Sequence, residues 1–303
     1  MVMKVGMIGL SEGNGHPFSF SAIINGYDAE AFSQAGWPVI FDYLEKQDKA
    51  EIGLEGVEVS HVWTQDPAIS DHLSRSCFIP NIARNPEDMI GDVDAVIIAR
   101  DDYENHLTMA LPFLQAGLNV FVDKPLAIDP EELAVLVPYL KKGQLLSGSG
   151  FRFAQELDEL RSQPDTLGPL VLVEATVVNG LEKYGIHMLE ALAGLGFGVP
   201  KSVSRISDHR DMFLFTMPDD TPLLLSCLGS VGKTFHLGFY GKYGNLQIDL
   251  HNNFAAFRRL LMNFFETVTS GAFSYAPEET LALMKAIKTA RDCRPYETAP
   301  ISW

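Results

Sequence analysis

The 303-residue chain is predicted to be an α/β protein of two domains, a parallel-sheet domain followed by an α+β domain with a largely antiparallel open sheet. The length favours two domains, because a single hydrophobic core rarely grows beyond about 250–300 residues. In the first half, short apolar strands alternate with amphipathic helices, which is typical of parallel sheets. In the second half, successive short strands are joined by tight turns, which indicates antiparallel pairing.

Residues 93–127 form the clearest strand–helix–strand unit. Val93–Ala99 is rich in β-branched residues, as expected of a strand buried on both faces. An amphipathic helix follows at His106–Gln115, and a second buried strand, Asn119–Val122, stops at Asp123-Lys124-Pro125. Ligands of such units bind at the carboxyl ends of the strands, so an acid and a lysine at this edge are candidates for chemistry.

This stretch resembles the signature of the Gfo/Idh/MocA (glucose–fructose oxidoreductase, inositol dehydrogenase) family. The matching features are Val-Asp-Ala-Val-Ile-Ile-Ala at 93–99, His106, Ala-Gly-Leu-Asn-Val at 116–120, and Asp-Lys-Pro at 123–125. The family usually has Glu-Lys-Pro; Asp123 is one methylene shorter and leaves the role of Lys124 intact. The resemblance implies a Rossmann domain, NAD or NADP as cofactor, and a sugar-like or cyclitol-like alcohol as substrate.

The first strand is predicted at Lys4–Leu10 and leads into a glycine-rich turn that ends at Pro17, a residue suited to the first helical position. Such a turn binds a pyrophosphate on its backbone N–H groups. The sequence departs from G-x-G-x-x-G, since Gly9 fits but Ser11 and Asn14 occupy the second and third glycine positions. The candidate cofactor-binding residues are Gly9, Ser11, Gly13, Asn14, Thr64, Ala99, Arg100, Asp101, His106, Asp123 and Lys124.

Residues 27–55 form a longer segment than a simple crossover needs, and we interpret it as an insertion of one or two helices. It could roof the active site, form an interface or extend the core. The strand Val57–Trp63 then ends at Thr64-Gln65-Asp66, where an acid would select NAD and a neighbouring base would bind the phosphate of NADP. Thr64 is neither, so the choice between NAD and NADP stays open. Asp66 is expected to cap the next helix.

The domain boundary is predicted at the linker Gly148-Ser149-Gly150, which gives an NAD(P)-binding domain at 1–149 and a substrate-binding and oligomerisation domain at 150–303. Arg152 lies where the family often places a loop facing the cleft, which makes it a candidate substrate contact. The strands predicted beyond the linker are Leu170–Val177, Met212–Met217, Pro222–Cys227, Phe235–Tyr240 and Gly244–Leu250. The resemblance implies a homo-oligomer formed through this sheet.

A second chemical cluster lies at residues 182–190. It resembles the family's catalytic stretch Asp-x-Gly-x-His-x-x-Asp: Gly185 and His187 match, Glu190 stands for the last acid, and Lys183 replaces the first. The resemblance implies that His187 is the general base and that Lys124 orients the substrate. The candidate catalytic residues are Lys124, His187 and Lys183, and the candidate substrate contacts are Lys124, Arg152, Lys183, Tyr184 and His187.

Lys183 has three possible roles, because it stands where the family's usual motif has an acid. It could be a second proton acceptor near Lys124, an anchor for an acidic substrate, or a surface residue paired with a carboxylate. The remaining histidines show no metal-ligand spacing, so no metal is predicted.

The amino-acid composition limits the kinds of molecule that the protein is expected to bind. Lys plus Arg number 23 against 39 Asp plus Glu, and the net charge of −16 disfavours nucleic acids and anionic membranes. Three widely separated cysteines fit a reducing cytoplasm, and no apolar run reaches membrane-spanning length.

Three functional hypotheses follow. The first is an NAD(P)-dependent oxidoreductase acting on a CH–OH group of a polyol. The second is a catalytically silent dinucleotide-binding sensor, motivated by the altered glycine turn and the missing first acid. The third keeps the cofactor but uses transient oxidation for elimination or hydrolysis, as some relatives do.

Overall fold

A computed structural model describes residues 2–301, which fold into two compact units. The first unit contains the chain up to Ser147 together with residues 257–277, and the second contains residues 148–256 and those from Glu278 onward. The sequence-based division at 149/150 is contiguous, whereas here residues 257–277 belong to the first unit. The reason is aromatic packing, because the ring of Phe257 lies 5.2 Å from that of Phe20 and that of Phe264 lies 5.7 Å from Phe121.

The first unit is built on a six-stranded, wholly parallel sheet with the order β3-β2-β1-β4-β5-β6. Its strands are β1 (Met3–Ile8), β2 (Val57–Trp63), β3 (Asn81–Ile82), β4 (Ala95–Ile98), β5 (Asn119–Val122) and β6 (Leu145–Ser147). The strand order reverses between β1 and β4, and in doubly wound sheets the ligand crevice opens at this switch point. The predicted Rossmann-type sheet is confirmed.

The helices of this unit are α1 (His16–Asn25), α2 (Ala29–Ser33), α3 (Pro38–Glu45), α4 (Pro67–Ser76), α5 (His106–Gln115) and α6 (Pro130–Lys141). Asp66 caps α4 as predicted, because its Oδ1 accepts the N–H of Ala68 at 2.8 Å. Asp129 caps α6 in the same way, through the N–H of Glu131. The insertion at 27–55 contains α2 and α3.

The second unit is built on a seven-stranded mixed sheet with the order β12-β11-β7-β10-β9-β8-β13. Its strands are β7 (Leu170–Val177), β8 (Ser202–Arg205), β9 (Asp211–Thr216), β10 (Pro222–Cys227), β11 (Phe235–Gly241), β12 (Asn245–Asp249) and β13 (Thr298–Pro300). Every neighbouring pair is antiparallel except β7 and β10. The prediction of a largely antiparallel sheet is confirmed, although β8 and β13 were not predicted.

The remaining helices are α7 (Asp158–Ser162), α8 (Ile186–Gly194), α9 (Asn253–Ser270) and α10 (Pro277–Asp292). A π-helical turn at Leu181–Gly185 precedes α8, so α-helical geometry begins only one residue before His187. Helix α8 packs on the 3₁₀ turn Gly150–Phe153. At Gly194 the approach is so close that a Cβ atom would overlap the carbonyl group of Arg152.

This close approach yields the first test. Gly194→Ala is expected to lower the free energy of unfolding by about 1–3 kcal/mol, because a backbone carbonyl cannot move aside as a flexible side chain can. The loss should appear although alanine favours helix over glycine by about 1 kcal/mol. Urea denaturation measures it. Gly232→Ala is the matched control, since a Cβ there meets no atom within 4 Å. Equal midpoints for the two variants would disprove the close packing.

Candidate functional site

The turn between β1 and α1 presents a row of backbone donors. Among residues 2–301, nothing accepts a hydrogen bond from the N–H groups of Ser11, Glu12 and Gly13. Helix α1 begins directly after the turn and carries no acid in its first turn. Unpaired N–H groups beside a helix N-terminus are suited to an anion, so the donor set fits the pyrophosphate of a dinucleotide.

Packing from two sides fixes the position of this turn. A Cβ atom at Gly9 would overlap the ring of Pro17, so glycine is needed there for the turn to lie against the start of α1. From the end of β2, the Gln65 amide donates to the carbonyl of Leu10 at 2.5 Å, and its Oε1 accepts the Leu10 N–H at 2.9 Å. Arg100 donates to the same Oε1 at 3.1 Å. The ends of β1, β2 and β4 are thereby joined.

Lys124 lies at the carboxyl edge of the sheet beside Asp101. Its Nζ is 3.9 Å from Asp101 Oδ2, and the lysine is only 4% exposed. The other carboxylate oxygen of Asp101 accepts the hydroxyl of Ser11 at 2.8 Å, while the Asp101 N–H donates back to that hydroxyl at 3.1 Å. Ser11, which stands at the second glycine position, is therefore held by the carboxylate that faces the lysine.

Asp123 connects the end of β5 to the turn. One of its oxygens accepts the N–H of Lys124 at 2.9 Å. The other accepts Asn14 Nδ2 at 3.0 Å and lies 2.6 Å from Nδ1 of His16. Burial raises the pKa of Asp123, but the attraction of His16 and Lys124 outweighs burial and lowers this pKa well below its ordinary value. Asp123 is thus a buried anion that positions both the turn and Lys124.

Arg100 and His106 hold the loop after β4. The guanidinium of Arg100 donates to both carboxylate oxygens of Asp102, at 2.9 and 2.5 Å. The ring nitrogens of His106 lie 2.9 Å from the carbonyl oxygens of Leu126 and Arg100. Burial lowers the pKa of His106, although these carbonyls act in the opposite direction. His106 therefore joins the segments that follow β4 and β5.

Two further residues predicted to bind the cofactor, Thr64 and Ala99, form hydrogen bonds within the first unit. Thr64 is buried; its N–H donates to Ser70 Oγ at 2.9 Å and its hydroxyl donates to the carbonyl of Asp66 at 2.7 Å. The N–H of Ala99 donates to the carbonyl of Ile8 at 2.8 Å. Thr64 thus supports the start of α4 and is itself neither an acid nor a base.

In the second unit, the ring of His187 contacts a serine and three aromatic residues. Its Nδ1 lies 2.5 Å from Ser149 Oγ. The ring centroids of Phe151, Tyr184 and Phe235 are 5.5, 5.9 and 5.9 Å away. His187 is 9% exposed, so most of the imidazole is enclosed and one nitrogen has a fixed polar neighbour.

Beside it lies a buried ion cluster. Arg152 Nε donates to Glu190 Oε2 at 2.5 Å, and Arg152 Nη1 donates to Glu279 Oε2 at 2.9 Å. Glu190 is fully buried, and burial raises its pKa against the opposing attraction of Arg152. The structure therefore places the guanidinium of Arg152, a candidate substrate contact, between two carboxylates.

The remaining candidates precede α8. Lys183 and Tyr184 lie in the π-helical turn, and both are partly exposed. The sequence did not predict Ser149, Gln65 or Glu279 as contacts of the site. Their partners are 38, 55 and 127 residues away along the chain, and no local pattern announces such pairs.

No three His, Cys, Asp or Glu side chains of residues 2–301 are grouped as a metal ion would require. No helix in the same range has the length and apolar character needed to span a membrane.

Residues 3–151 match the model of the Gfo/Idh/MocA oxidoreductase family, described as having an NAD-binding Rossmann fold. One curated relative, a putative UDP-kanosamine synthase oxidoreductase subunit from Amycolatopsis mediterranei, is 29% identical over 106 residues. That alignment covers 35% of this chain and 29% of the relative, so the chain matches less than a third of the relative's length.

Solved structures resemble the whole chain. A myo-inositol 2-dehydrogenase from Lactobacillus plantarum superposes with a TM-score of 0.78 at 15% identity, covering 100% of both chains. A scyllo-inositol dehydrogenase from Lactobacillus casei with NAD(H) and scyllo-inositol gives 0.75 at 16% identity, covering 99% of each. A myo-inositol dehydrogenase from L. casei with NAD(H) and myo-inositol gives 0.72 at 18%, covering 100% of this chain and 98% of that one. At these identities the similarity shows the fold.

The buried Asp123 carboxylate predicts a pH dependence of stability. Because its pKa is lower in the folded than in the unfolded protein, Asp123 stabilises the fold above its ordinary pKa of 3.8, and this contribution is lost as the pH falls through the lowered value. Asp123→Asn is expected to cost about 2–4 kcal/mol at pH 7. The difference from the parent should shrink as the pH falls below about 5.

Urea unfolding between pH 7 and pH 3 measures this difference. The control is Asp42→Asn, since Asp42 forms an exposed ion pair with Lys46 worth at most about 1 kcal/mol. A difference between the Asp123 variant and the parent that stays constant over this range would contradict the buried-anion assignment.

Proposed function

Because the chain belongs to the Gfo/Idh/MocA oxidoreductase family through its NAD-binding Rossmann half, we propose that it is an NAD(P)-dependent dehydrogenase of a cyclitol-like or sugar-like polyol. One observation carries the proposal: Lys124 lies at the same carboxyl edge as the unpaired N–H groups of the turn, and Asp123 contacts both segments. The inositol dehydrogenases of similar fold support a cyclitol as the first substrate class to test.

The dinucleotide would be held by the first unit. The N–H groups of Ser11, Glu12 and Gly13 would bind the pyrophosphate. Thr64, the first residue after β2, is neither an acid nor a base, and it is bonded to Ser70 and Asp66. Both NAD and NADP are therefore to be measured.

The chain's own residues move the proton and balance the charge. A bound nicotinamide would supply the acceptor for the hydride of the alcohol carbon. His187 takes the hydroxyl proton, because imidazole titrates near the working pH. Lys124 holds a positive charge beside the oxygen, which stabilises the developing alkoxide or carbonyl. In the reducing direction His187 returns the proton.

Activity is tested with a polyol library that includes myo- and scyllo-inositol, with NAD or NADP, by the absorbance of the reduced nicotinamide. His187→Ala and Lys124→Met are expected to lower kcat by about 10²–10⁴, the range for losing a positioned acid or base. Cofactor affinity, measured by calorimetry, should change less. The matched controls are the exposed His209→Ala and Lys46→Met, which should keep parental turnover.

The same assay separates the alternatives. Cofactor binding without turnover of any polyol would support the silent sensor. Product formed without net reduction of the cofactor would support elimination or hydrolysis by transient oxidation. Normal turnover by His187→Ala would remove that residue from the mechanism.

We further propose that Lys183 anchors the carboxylate of an acidic substrate such as a sugar acid. A charged hydrogen bond contributes about 1.5–3 kcal/mol, so Lys183→Met is expected to lower kcat/KM on acids by about 10–100-fold and on neutral polyols by much less. Lys233→Met, which removes an exposed lysine of the same unit, is the control. An unchanged preference between acids and neutral polyols would place Lys183 outside the site.

A further inference from the structure

We infer that two carboxylates of this chain, those of Asp66 and Asp102, make the dinucleotide site selective for NAD over NADP. They occupy the guanidinium and the helix N-terminus that would otherwise bind the 2′-phosphate of NADP. The inference rests on the proposed function for the presence of a dinucleotide. The geometry on which it stands lies within the first unit.

Arg100 follows β4 but reaches the end of β2. Its Nη1 donates to Gln65 Oε1 at 3.1 Å, and Gln65 is the second residue after β2. The same oxygen accepts the N–H of Leu10 at 2.9 Å, and Leu10 directly precedes Ser11 of the anion-binding turn. In a Rossmann sheet the adenosine ribose lies at the end of the second strand, where an acid bonds to its hydroxyls or an arginine accepts the 2′-phosphate. Arg100 is therefore the guanidinium beside the ribose position.

Asp102 compensates the charge of this guanidinium. The Nε and Nη2 groups of Arg100 donate to its two carboxylate oxygens at 2.9 and 2.5 Å, and Asn105 Nδ2 donates to Oδ2 at 2.7 Å. Burial raises the pKa of Asp102, but the hydrogen bonds from Arg100 and Asn105 outweigh burial and lower this pKa below its ordinary value. Three of the five N–H groups of Arg100 thus bond to Asp102 and Gln65. A phosphate would have to compete with Asp102 for the guanidinium.

Asp66 occupies the second feature that attracts a phosphate, the N-terminus of α4. The helix begins at Pro67, which has no N–H to donate. The next N–H, that of Ala68, donates to Asp66 Oδ1 at 2.8 Å. The chain's own carboxylate therefore lies where the helix dipole favours an anion.

The local charge follows from these contacts. One guanidinium, that of Arg100, lies beside the end of β2 together with the carboxylates of Asp66 and Asp102. Arg84 adds a cation after β3, where its carbonyl oxygen accepts Trp63 Nε1 at 3.2 Å, and this brings the balance only to zero. A 2′-phosphate carries nearly two negative charges at pH 7, whereas the 2′-hydroxyl of NAD is neutral and can donate to a carboxylate. The charges at this edge therefore favour NAD.

Calorimetry at pH 7 with ADP-ribose and 2′-phospho-ADP-ribose tests the inference without turnover. The parent is expected to bind ADP-ribose about tenfold more tightly. Asp102→Asn should strengthen the binding of 2′-phospho-ADP-ribose about tenfold and change that of ADP-ribose much less, because the guanidinium is released. Asp66→Ser keeps an acceptor for the Ala68 N–H but removes the charge, so it should shift the ratio of the two affinities in the same direction.

A double variant shows whether Asp102 acts through Arg100. Arg100→Met/Asp102→Asn lacks both charges and should lose the gain seen in Asp102→Asn, whereas a merely structural effect of Asp102 would persist. Asp42→Asn, which removes an exposed carboxylate of the same unit, is the control and should leave the ratio unchanged. Near-ultraviolet circular dichroism confirms that each variant is folded.

Two results would overturn the inference: equal or tighter binding of 2′-phospho-ADP-ribose by the parent, or an unchanged ratio in either single variant. In the first case Arg84→Met would show whether Arg84 binds the phosphate. A parent that binds neither ligand would refute the inference together with the proposed cofactor. A parent that binds and discriminates between the ligands but oxidises no polyol would refute the proposed activity and leave the inference intact.

Discussion

The candidate site of the first unit depends on the hydrogen bonds and the ion pair of the Asp123 carboxylate. This carboxylate accepts hydrogen bonds from Asn14 and from the Lys124 N–H, and it lies beside His16. A buried charge is tolerated only when such partners compensate its lost hydration. Because the partners come from both the turn after β1 and the end of β5, the anion-binding turn and the lysine are positioned by the same group.

In the second unit, a buried charge is compensated by an ion pair. Glu190 is fully buried, and its carboxylate meets the guanidinium of Arg152 across 38 residues of sequence. Removing either partner would leave an uncompensated charge in the interior, which is costly. Glu190 lies one helical turn from His187 on the same face of α8, so the contact that compensates the buried charge also orients the segment that carries His187.

The sequence predicted those elements whose pattern is local. Asn119–Val122, Leu170–Val177 and Pro222–Cys227 were predicted at their observed bounds, because each is a short run rich in apolar residues that is bounded by turn residues. The strands Ser202–Arg205 and Thr298–Pro300 were missed, since both are short, contain no run of large apolar residues, and pair with each other at the edge of the sheet.

The same distinction between local patterns and long-range contacts applies to the residues of the candidate site. Motifs located Asp123, Lys124 and His187, because each stands in a recognisable run of neighbours. They could not show that Ser149 meets His187 or that Gln65 closes the turn. Such contacts depend on how distant segments meet after folding. A serine or a glutamine in the sequence does not indicate which residue it will contact.

Three of the residues that differ from the family's usual pattern each make side-chain contacts in the folded protein. Ser11 replaces a glycine, and its hydroxyl bonds to Asp101, whose other oxygen faces Lys124. Asp123 is shorter than the usual glutamate, yet it reaches Asn14 and His16. Glu190 is longer than the usual aspartate, and it meets Arg152. These contacts hold Lys124 and His187 in enclosed positions, which is compatible with the roles proposed for them in an oxidoreductase.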